Sequence, residues 1–281
     1  MKSAEHLVSI GFILSCLTIS LSSSCKRGSA STIEIPELQI KEGQTVRTIM
    51  ETVTENGTMR IVGGEQNGTG EMFVQRVRIF EKTRTANGYR YDIQKNDSTA
   101  NFQWKNQEYP SETHTTLIGR PIVAKRGDEG WELELVEGNP SPEQEAEIEA
   151  FEAYANRDWL PGHPVKVGDS WPCKPGFIRH FVQSDLVQTD ASGTLTLLTI
   201  EKGNAVISVN IQGKGEQADD KGTISKANIN LIGTAVLHIE TGLDLGLDLK
   251  GTVSSGVQQP NGEIKAVLLP VVIKVRKKIL E

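Results

Sequence analysis

Apolar and polar residues alternate along most of the chain beyond about Leu38. Apolar residues take every second position in segments 89–93, 131–135, 205–211 and 271–275. A period of two is the spacing of a β-strand that buries one face and exposes the other. The pattern therefore predicts antiparallel strands that are each half-buried.

The alternation is clearest in "LDLGLDLK", residues 243–250. Four leucines share one parity, and polar residues and a glycine fill the positions between them. The sequence therefore predicts a strand with one fully apolar face, which is either plain core or the wall of a ligand cavity. The residues of this candidate ligand-binding face are Leu243, Leu245, Leu247 and Leu249.

Pairs of turn-forming residues separate the alternating segments. Thr241-Gly242 predicts a hairpin turn just before the leucine strand. Asn-Gly pairs at Asn56, Asn87 and Asn261 predict three further tight turns, because both residue types tolerate the positive φ that such turns need. Long strands joined by hairpins predict a sheet in meander order.

One segment departs from the period of two and predicts a helix at about 142–157. Ser141 and Gln144 have the spacing of a capping box, and Pro142 suits the first helical position. Apolar residues then recur three or four positions apart, which is the spacing of one helical stripe. This stripe consists of Ile148, Phe151, Ala155 and Trp159.

Together these elements predict a mainly β fold: a large curved antiparallel sheet, an open or half β-barrel, with one amphipathic helix crossing it. A membrane-spanning barrel is disfavoured, because such barrels carry aromatic girdles and aromatic residues make up only 5% of this chain. The cationic end "KVRKKILE" alternates with apolar residues and predicts an edge strand guarded by lysines.

The amino-terminal segment has the layout of a secretory signal peptide. Residues 7–21 are mostly apolar, follow Lys2 and give way to three serines. The run is interrupted by polar residues and falls short of the roughly 20 apolar residues that span a bilayer. An export signal is therefore favoured over a transmembrane anchor.

Leu21-Ser-Ser-Ser-Cys25 resembles the lipobox of bacterial lipoproteins, in which the signal is cut before a cysteine that carries the lipid. The resemblance implies lipidation at Cys25, although Ser22 stands where the family prefers a large aliphatic residue. Segment 13–16, "ILSC", is a second candidate box with a very short apolar core. Ordinary cleavage after Ser24 or Ala30 is the alternative.

Three regions follow: a signal peptide at 1–24, a tether at 25–38 after the lipidated cysteine, and a single β-rich domain at 39–281. The formal net charge is -6, which argues against a nucleic-acid partner. After cleavage and lipidation, Cys173 would be a lone thiol. That argues against a disulfide scaffold and a cysteine metal site.

Residues that could carry chemistry form no recognisable constellation. The histidines at 114, 163, 180 and 238 lack metal spacing, and segment 219–222 lacks the distal glutamate of a calcium loop. Serine-hydrolase and phosphate-loop motifs are also missing from the sequence. We therefore predict no enzyme activity, no catalytic residue, no metal and no other cofactor.

Two short motifs resemble those of uncharacterised bacterial envelope lipoproteins: "WLPGHPVKVGDSWP" at residues 159–172 and the "TGL" hairpin at 241–243. Those lipoproteins have an open half-barrel similar to the lipoprotein-localisation-factor (LolA/LppX-like) fold. The resemblance implies an apolar inner face that binds acyl chains or lipoprotein lipids. It carries no catalytic residues.

The sequence thus predicts an exported, lipid-anchored protein of the cell envelope that binds a lipid or other apolar ligand. We place it on the periplasmic side, at the outer membrane, because Lys26 differs from the aspartate that retains enteric lipoproteins in the inner membrane. The alternative is a structural lipoprotein that holds another envelope protein through strand edges or loops and has no ligand.

Overall fold

Twelve strands and one helix make up the part of the chain that the computed structural model describes, residues 32–63, 67–128, 130–155, 159–173, 177 and 191–280. The strands form one antiparallel sheet that does not close. The predicted fold class, a large open sheet with one helix, is confirmed. The elements are β1 (Thr45–Val62), β2 (Gly68–Thr85), β3 (Gly88–Trp104), β4 (Gln107–Thr113), β5 (Ile122–Arg126), β6 (Trp131–Leu135), α1 (Pro142–Ala155), β7 (Ser170–Cys173), β8 (Ser192–Glu201), β9 (Asn204–Ala218), β10 (Ile224–His238), β11 (Leu243–Gln258) and β12 (Ile264–Leu280).

The first and last strands pair with each other in the middle of the sheet. The strand order is β6-β5-β3-β2-β1-β12-β11-β10-β9-β8-β7, with β4 paired to β3. The prediction that the cationic end is an edge strand is wrong, because β12 pairs with both β1 and β11. Alternation showed which face of β12 is wet, as exposed Lys274 and Arg276 confirm, but it carries no information about lateral pairing.

One face of the sheet, the inner face, carries two clusters of buried side chains; the opposite face is the outer face. The C-terminal cluster consists of Ile35, Met50, Trp159, Val165, Trp171, Cys173, Phe177, Leu195, Leu197, Ala205, Ile207, Val209, Ile211, Ala227, Ile229, Leu231, Ala235, Leu237, Leu247, Leu249, Val271, Ile273 and Val275. The N-terminal cluster consists of Phe80, Tyr89, Tyr91, Ile93, Leu117, Ile122, Ala124, Leu135, Ile148 and Phe151.

Helix α1 packs on the N-terminal half of the sheet. Gln144 N donates to Ser141 Oγ at 3.3 Å and Ser141 N donates to Gln144 Oε1 at 3.0 Å, which confirms the predicted capping box. Ile148 and Phe151 of the predicted stripe are buried in the N-terminal cluster. Trp159 lies instead in the C-terminal cluster, where its carbonyl accepts a hydrogen bond from Trp171 Nε1 at 2.9 Å. The predicted helix end at 157 lies outside the described residues.

Three of the four predicted turns are confirmed. They connect β2 to β3, β10 to β11 and β11 to β12. The fourth prediction is wrong, since Asn56 and Gly57 lie within β1, where a bulge shifts the register between Thr54 and Gly57. Asn56 has a φ of 58°, so the conformation that Asn-Gly favours serves a bulge instead of a hairpin.

The segment before β1 crosses from one cluster to the other. Ile33 pairs with Val165 through two backbone hydrogen bonds of 2.7 and 2.8 Å, and Ile35 is buried in the C-terminal cluster. Leu38 and Ile40 pack against the N-terminal cluster. Residues 32–38 of the predicted tether therefore lie against the domain. The described residues all belong to one compact unit, Ser31–Glu281.

Candidate functional site

The leucine strand, β11, contains a bulge that changes the predicted pattern. Val236 pairs with Gly246 but the next residue, Leu237, pairs with Asp244, so Leu245 is an extra residue on this side. The predicted strict alternation over 243–250 is therefore wrong, because a bulge reverses the facing of the residues before it. Asp244, expected on the wet face, contacts the buried side chain of Lys277.

The four candidate leucines have three different surroundings. Leu247 and Leu249 lie in the C-terminal cluster and are 8% and 2% exposed. Leu243 lines a small cavity near Lys277, and Leu245 is half-buried and belongs to neither cluster. A shared ligand-binding role for these leucines stays a prediction.

The small cavity lies between buried charges at the meeting point of β1, β2, β11 and β12. Lys277 Nζ donates to Asp244 Oδ2 at 2.5 Å, and Lys82 Nζ stands 3.8 Å from the ring centroid of Tyr89. Burial, followed by repulsion from Lys82, lowers the pKa of Lys277 well below its ordinary value. The cavity measures about 20 Å³, which is room for about one water molecule. It is too small for an organic ligand.

A larger apolar surface lies on the inner face near the end of the sheet where β1 connects to β2 and β11 to β12, the distal end. Side chains there are half-buried, unlike the buried residues of the two clusters, and two of them, Val253 and Leu269, pack against the C-terminal cluster. We call them the distal patch: Met59, Met72, Val74, Phe102, Val253, Val257, Val267 and Leu269. They lie on five strands, β1, β2, β3, β11 and β12, so the patch extends across the central part of the sheet.

Two arginines continue the distal patch along β2. Alternation puts Met72, Val74, Arg76 and Arg78 on one face of the strand, and β2 keeps a regular register with β3 through these positions. Arg78 is opposite Met50, which is opposite Val275. Val275 in turn pairs with Leu247. The arginines and the apolar residues therefore share the inner face.

The arginines belong to a polar group beneath α1 that is partly or fully buried, the arginine cluster: Arg76, Arg78, Asn96, Thr115 and Glu147. Asn96 Oδ1 accepts from Arg76 Nε at 3.3 Å and from Arg78 Nε at 3.4 Å. Asn96 Nδ2 donates to Glu147 Oε2 at 2.9 Å, and Thr115 Oγ1 donates to the same oxygen at 2.7 Å. Asn96 thus stands between two cations and one carboxylate.

Arg78 is the least compensated charge of the arginine cluster. Its residue is 3% exposed, its guanidinium stacks 5.3 Å from the Phe151 ring centroid, and its Nη1 atom has no hydrogen-bond partner among the described residues. Burial, and then Arg76, lower the pKa of Arg78 to about 9, while Glu147 raises it. The guanidinium is therefore a buried cation at neutral pH. Burial also lowers the pKa of Arg76, against the opposing effect of Glu147.

Sequence reasoning missed the arginine cluster because the pattern of β2 points the other way. Val77 and Ile79 alternate with Arg76 and Arg78, which would normally put the valine and isoleucine inside. In the structure Arg78 is buried and both apolar residues are half-buried on the outer face. Met72, Val74 and Phe80, which share the parity of the arginines, are the sequence signal for this orientation.

The outer face carries a shallow groove across β10, β11, β12 and β1. Its volume is about 780 Å³, and it is lined by residues that include Val53, Ile232 and Val272 together with Lys250 and Lys274. Ile232 and Val272 are 48% and 45% exposed. The groove is open and mixed in polarity.

The remaining predicted chemistry falls on isolated residues. Cys173 is a buried thiol, and burial raises its pKa to about 11. His114 contacts Asp97 and His238 contacts Thr241. Among the described residues no group of three or more histidine, cysteine, aspartate or glutamate side chains could hold a metal ion. Cys25 and His180 lie outside the described residues.

No helix in the described ranges combines the length and apolar character needed to cross a membrane. Comparisons of the chain with family models and with curated proteins gave no match.

Proposed function

We propose that this is a lipid-anchored cell-envelope protein that binds a lipid or other apolar ligand on the inner face of its open sheet. The anchor is Cys25, after removal of residues 1–24. The protein is exported, faces the periplasm and resides at the outer membrane. It has no catalytic role.

The distal patch is the observation that carries the ligand part of this proposal. Its apolar side chains are half-buried, whereas those of the two clusters are almost completely buried. Apolar area that stays partly in water gains roughly 25 cal/mol for each Å² that a ligand removes from water. A surface of this kind suits an acyl chain lying along the sheet.

The anchor is tested by the intact mass of protein recovered from a bacterial membrane fraction. We expect cleavage before Cys25 and a diacyl or triacyl adduct, which Cys25→Ser should abolish together with membrane association. A mass that corresponds to cleavage after Ser24 or Ala30, without adduct, would show a freely diffusing secreted protein.

The ligand is tested with the uncharged dye N-phenyl-1-naphthylamine, whose fluorescence rises in apolar surroundings. We expect saturable binding that Met72→Asn weakens, because Met72 belongs to the distal patch. Phe73→Asn is the matched control, since Phe73 is the next residue but lies 41% exposed on the outer face. Native mass spectrometry should also detect lipid that purifies with the protein. Equal loss in both variants, or no saturable binding to the unmodified protein, would contradict the proposal.

The outer groove supports a second candidate, a lipoprotein that holds another envelope protein. Exposed Ile232 and Val272 beside Lys250 could form a small contact surface for a protein partner. Cross-linking in cells should then capture one stoichiometric partner, and Ile232→Asp should release it without changing dye binding. Capture that is insensitive to this substitution would exclude the groove as the contact.

A further inference from the structure

We infer that the ligand of the inner face is an anionic amphiphile, a single acyl chain on the distal patch with a carboxylate or phosphate head at Arg76 and Arg78. This inference rests on the proposed function, because it specifies the ligand of the same surface.

Apolar and cationic positions follow each other on the inner face of β2. Met72 and Val74 belong to the distal patch, Arg76 is half-buried, and Arg78 is buried. Met72 and Arg78 are six residues apart, or about 20 Å at about 3.3 Å per residue of strand. A chain that lies on the patch therefore has its head beside Arg76, with Arg78 behind it.

The charge balance of the arginine cluster favours a negative head. Glu147 is a carboxylate bonded into the cluster, and Asn96 links it to both arginines through hydrogen bonds. Arg78 forms no ion pair with any described residue, and its Nη1 lacks an acceptor. A buried cation without a paired anion is unfavourable. An oxyanion would supply both the missing charge and the missing acceptor.

The chemistry of the head follows from the guanidinium group. Arginine presents planar pairs of N–H donors that match the oxygens of carboxylate and phosphate. An uncharged alcohol head would accept one hydrogen bond but leave the buried guanidinium of Arg78 without an anion. A quaternary ammonium head would be repelled.

The experiment compares ligands that share one chain and differ in the head. Dodecanoate, dodecyl phosphate, dodecanol and dodecyltrimethylammonium are titrated against the dye-loaded protein. The ionic compounds are kept below their critical micelle concentrations, and dodecanol is kept below its solubility in water. We expect the two anions to displace the dye about tenfold more tightly than dodecanol does, in line with charge-assisted hydrogen bonds. The ammonium compound should displace it most weakly.

Arg76→Gln tests the assignment to the cluster. We expect it to remove most of the preference for the anionic head while dodecanol binding stays unchanged. Arg60→Gln is the matched control, because Arg60 is exposed on the outer face of β1 and the change in net charge is the same. Arg76→Lys, which keeps the charge, should retain part of the preference and covers the case in which the glutamine variant folds poorly.

The outcomes separate this inference from the proposed function. Equal displacement by dodecanol and the anions, or a preference that survives in Arg76→Gln, would overturn the anionic head and leave the apolar site intact. Failure of the dye and of all four chains to bind would overturn the proposed function itself. Inorganic phosphate that stabilises the protein against heat as strongly as dodecyl phosphate does would show a site for a free oxyanion and overturn the amphiphile.

Discussion

The two halves of the sheet bury different kinds of side chain. The C-terminal cluster is mostly aliphatic, with Leu195, Leu231 and Leu237 fully buried. The N-terminal cluster is richer in aromatic residues, and cations lie over its rings: Arg78 stacks on Phe151, and Lys82 on Tyr89 and Tyr91. Both halves nevertheless share one continuous sheet through the β1–β12 pairing.

The two halves of the sheet are therefore stabilised in different ways. The aliphatic half gains stability from removing apolar area from water, which needs no partner of a particular charge. The half beneath α1 includes charges whose desolvation must be offset by aromatic rings, Asn96 and Glu147. We therefore expect substitutions that remove side-chain volume to lower stability most in the aliphatic half, and substitutions that change charge to alter stability most in the cationic half.

The largest expected loss of stability follows from a substitution in the aliphatic half. Leu231→Ala should lower the free energy of unfolding by about 3 kcal/mol, because it leaves a cavity at a fully buried position. Ile232→Ala is the control, since this neighbour is 48% exposed on the outer face; its cost should stay below about 1 kcal/mol. Urea unfolding measures both. Equal costs would show that burial does not determine stability in this half.

On the cationic side, Glu147→Gln keeps nearly the same volume but removes the negative charge. We expect a loss of about 2–3 kcal/mol, somewhat less than for a fully buried ion pair because Glu147 is half-buried. Glu149→Gln changes an exposed residue of the same helix and should cost less than about 0.5 kcal/mol. A neutral outcome for Glu147→Gln would mean that the arginine cluster does not depend on its carboxylate.

Cys173 lies in the aliphatic half, and its thiol shows how a buried charge there would change stability with pH. Burial raises the pKa of its thiol to about 11, so the folded protein binds this proton more tightly than the unfolded chain does. The contribution to stability is present below the unfolded pKa and is lost as the pH rises through the folded pKa. Between about pH 8 and about pH 11 we expect the unfolding free energy to fall about 1–2 kcal/mol further in the unmodified protein than in Cys173→Ala. Parallel pH profiles of the two proteins would contradict this expectation.

The sequence predicted which face of a regularly alternating strand is buried in both halves, as at residues 89–93 of the N-terminal cluster, for a physical reason. Residues 205–211 and 271–275 alternate without interruption, and both segments form strands with the expected face buried. Hydrophobic patterning is enough where burial of area decides the orientation. It failed at Asn56 and Leu245, where bulges reset the alternation, because an inserted residue leaves no distinct signal in the pattern.

The arginine cluster could not be predicted from local pattern, since the rule that apolar residues face inward reverses there. Arg78 is buried because Phe151 and Asn96 come to it from α1 and β3, which are distant in sequence. The helix itself was predictable from Ser141, Gln144 and its apolar stripe. Its position over two arginines depends on tertiary packing, which a single sequence does not display.

The smallest expected change in stability concerns the arginine cluster itself. Arg78→Met replaces the under-compensated cation by an apolar side chain of similar length. We expect this substitution to raise the unfolding free energy by about 1 kcal/mol, because removing the desolvation penalty of the cation gains more than the lost contact with Phe151 costs. In the double variant with Glu147→Gln, the unfolding free energy should fall by less than the sum of the two single changes predicts, because the charge that Glu147 offsets has been reduced. Dodecyl phosphate should stabilise the unmodified protein against heat more than Arg78→Met, since only the former gains an anion for a buried cation. Destabilisation by Arg78→Met, with additive effects in the double variant, would instead indicate that the described contacts of Arg78 satisfy it fully and that the contrast between the two halves is one of shape and not of charge.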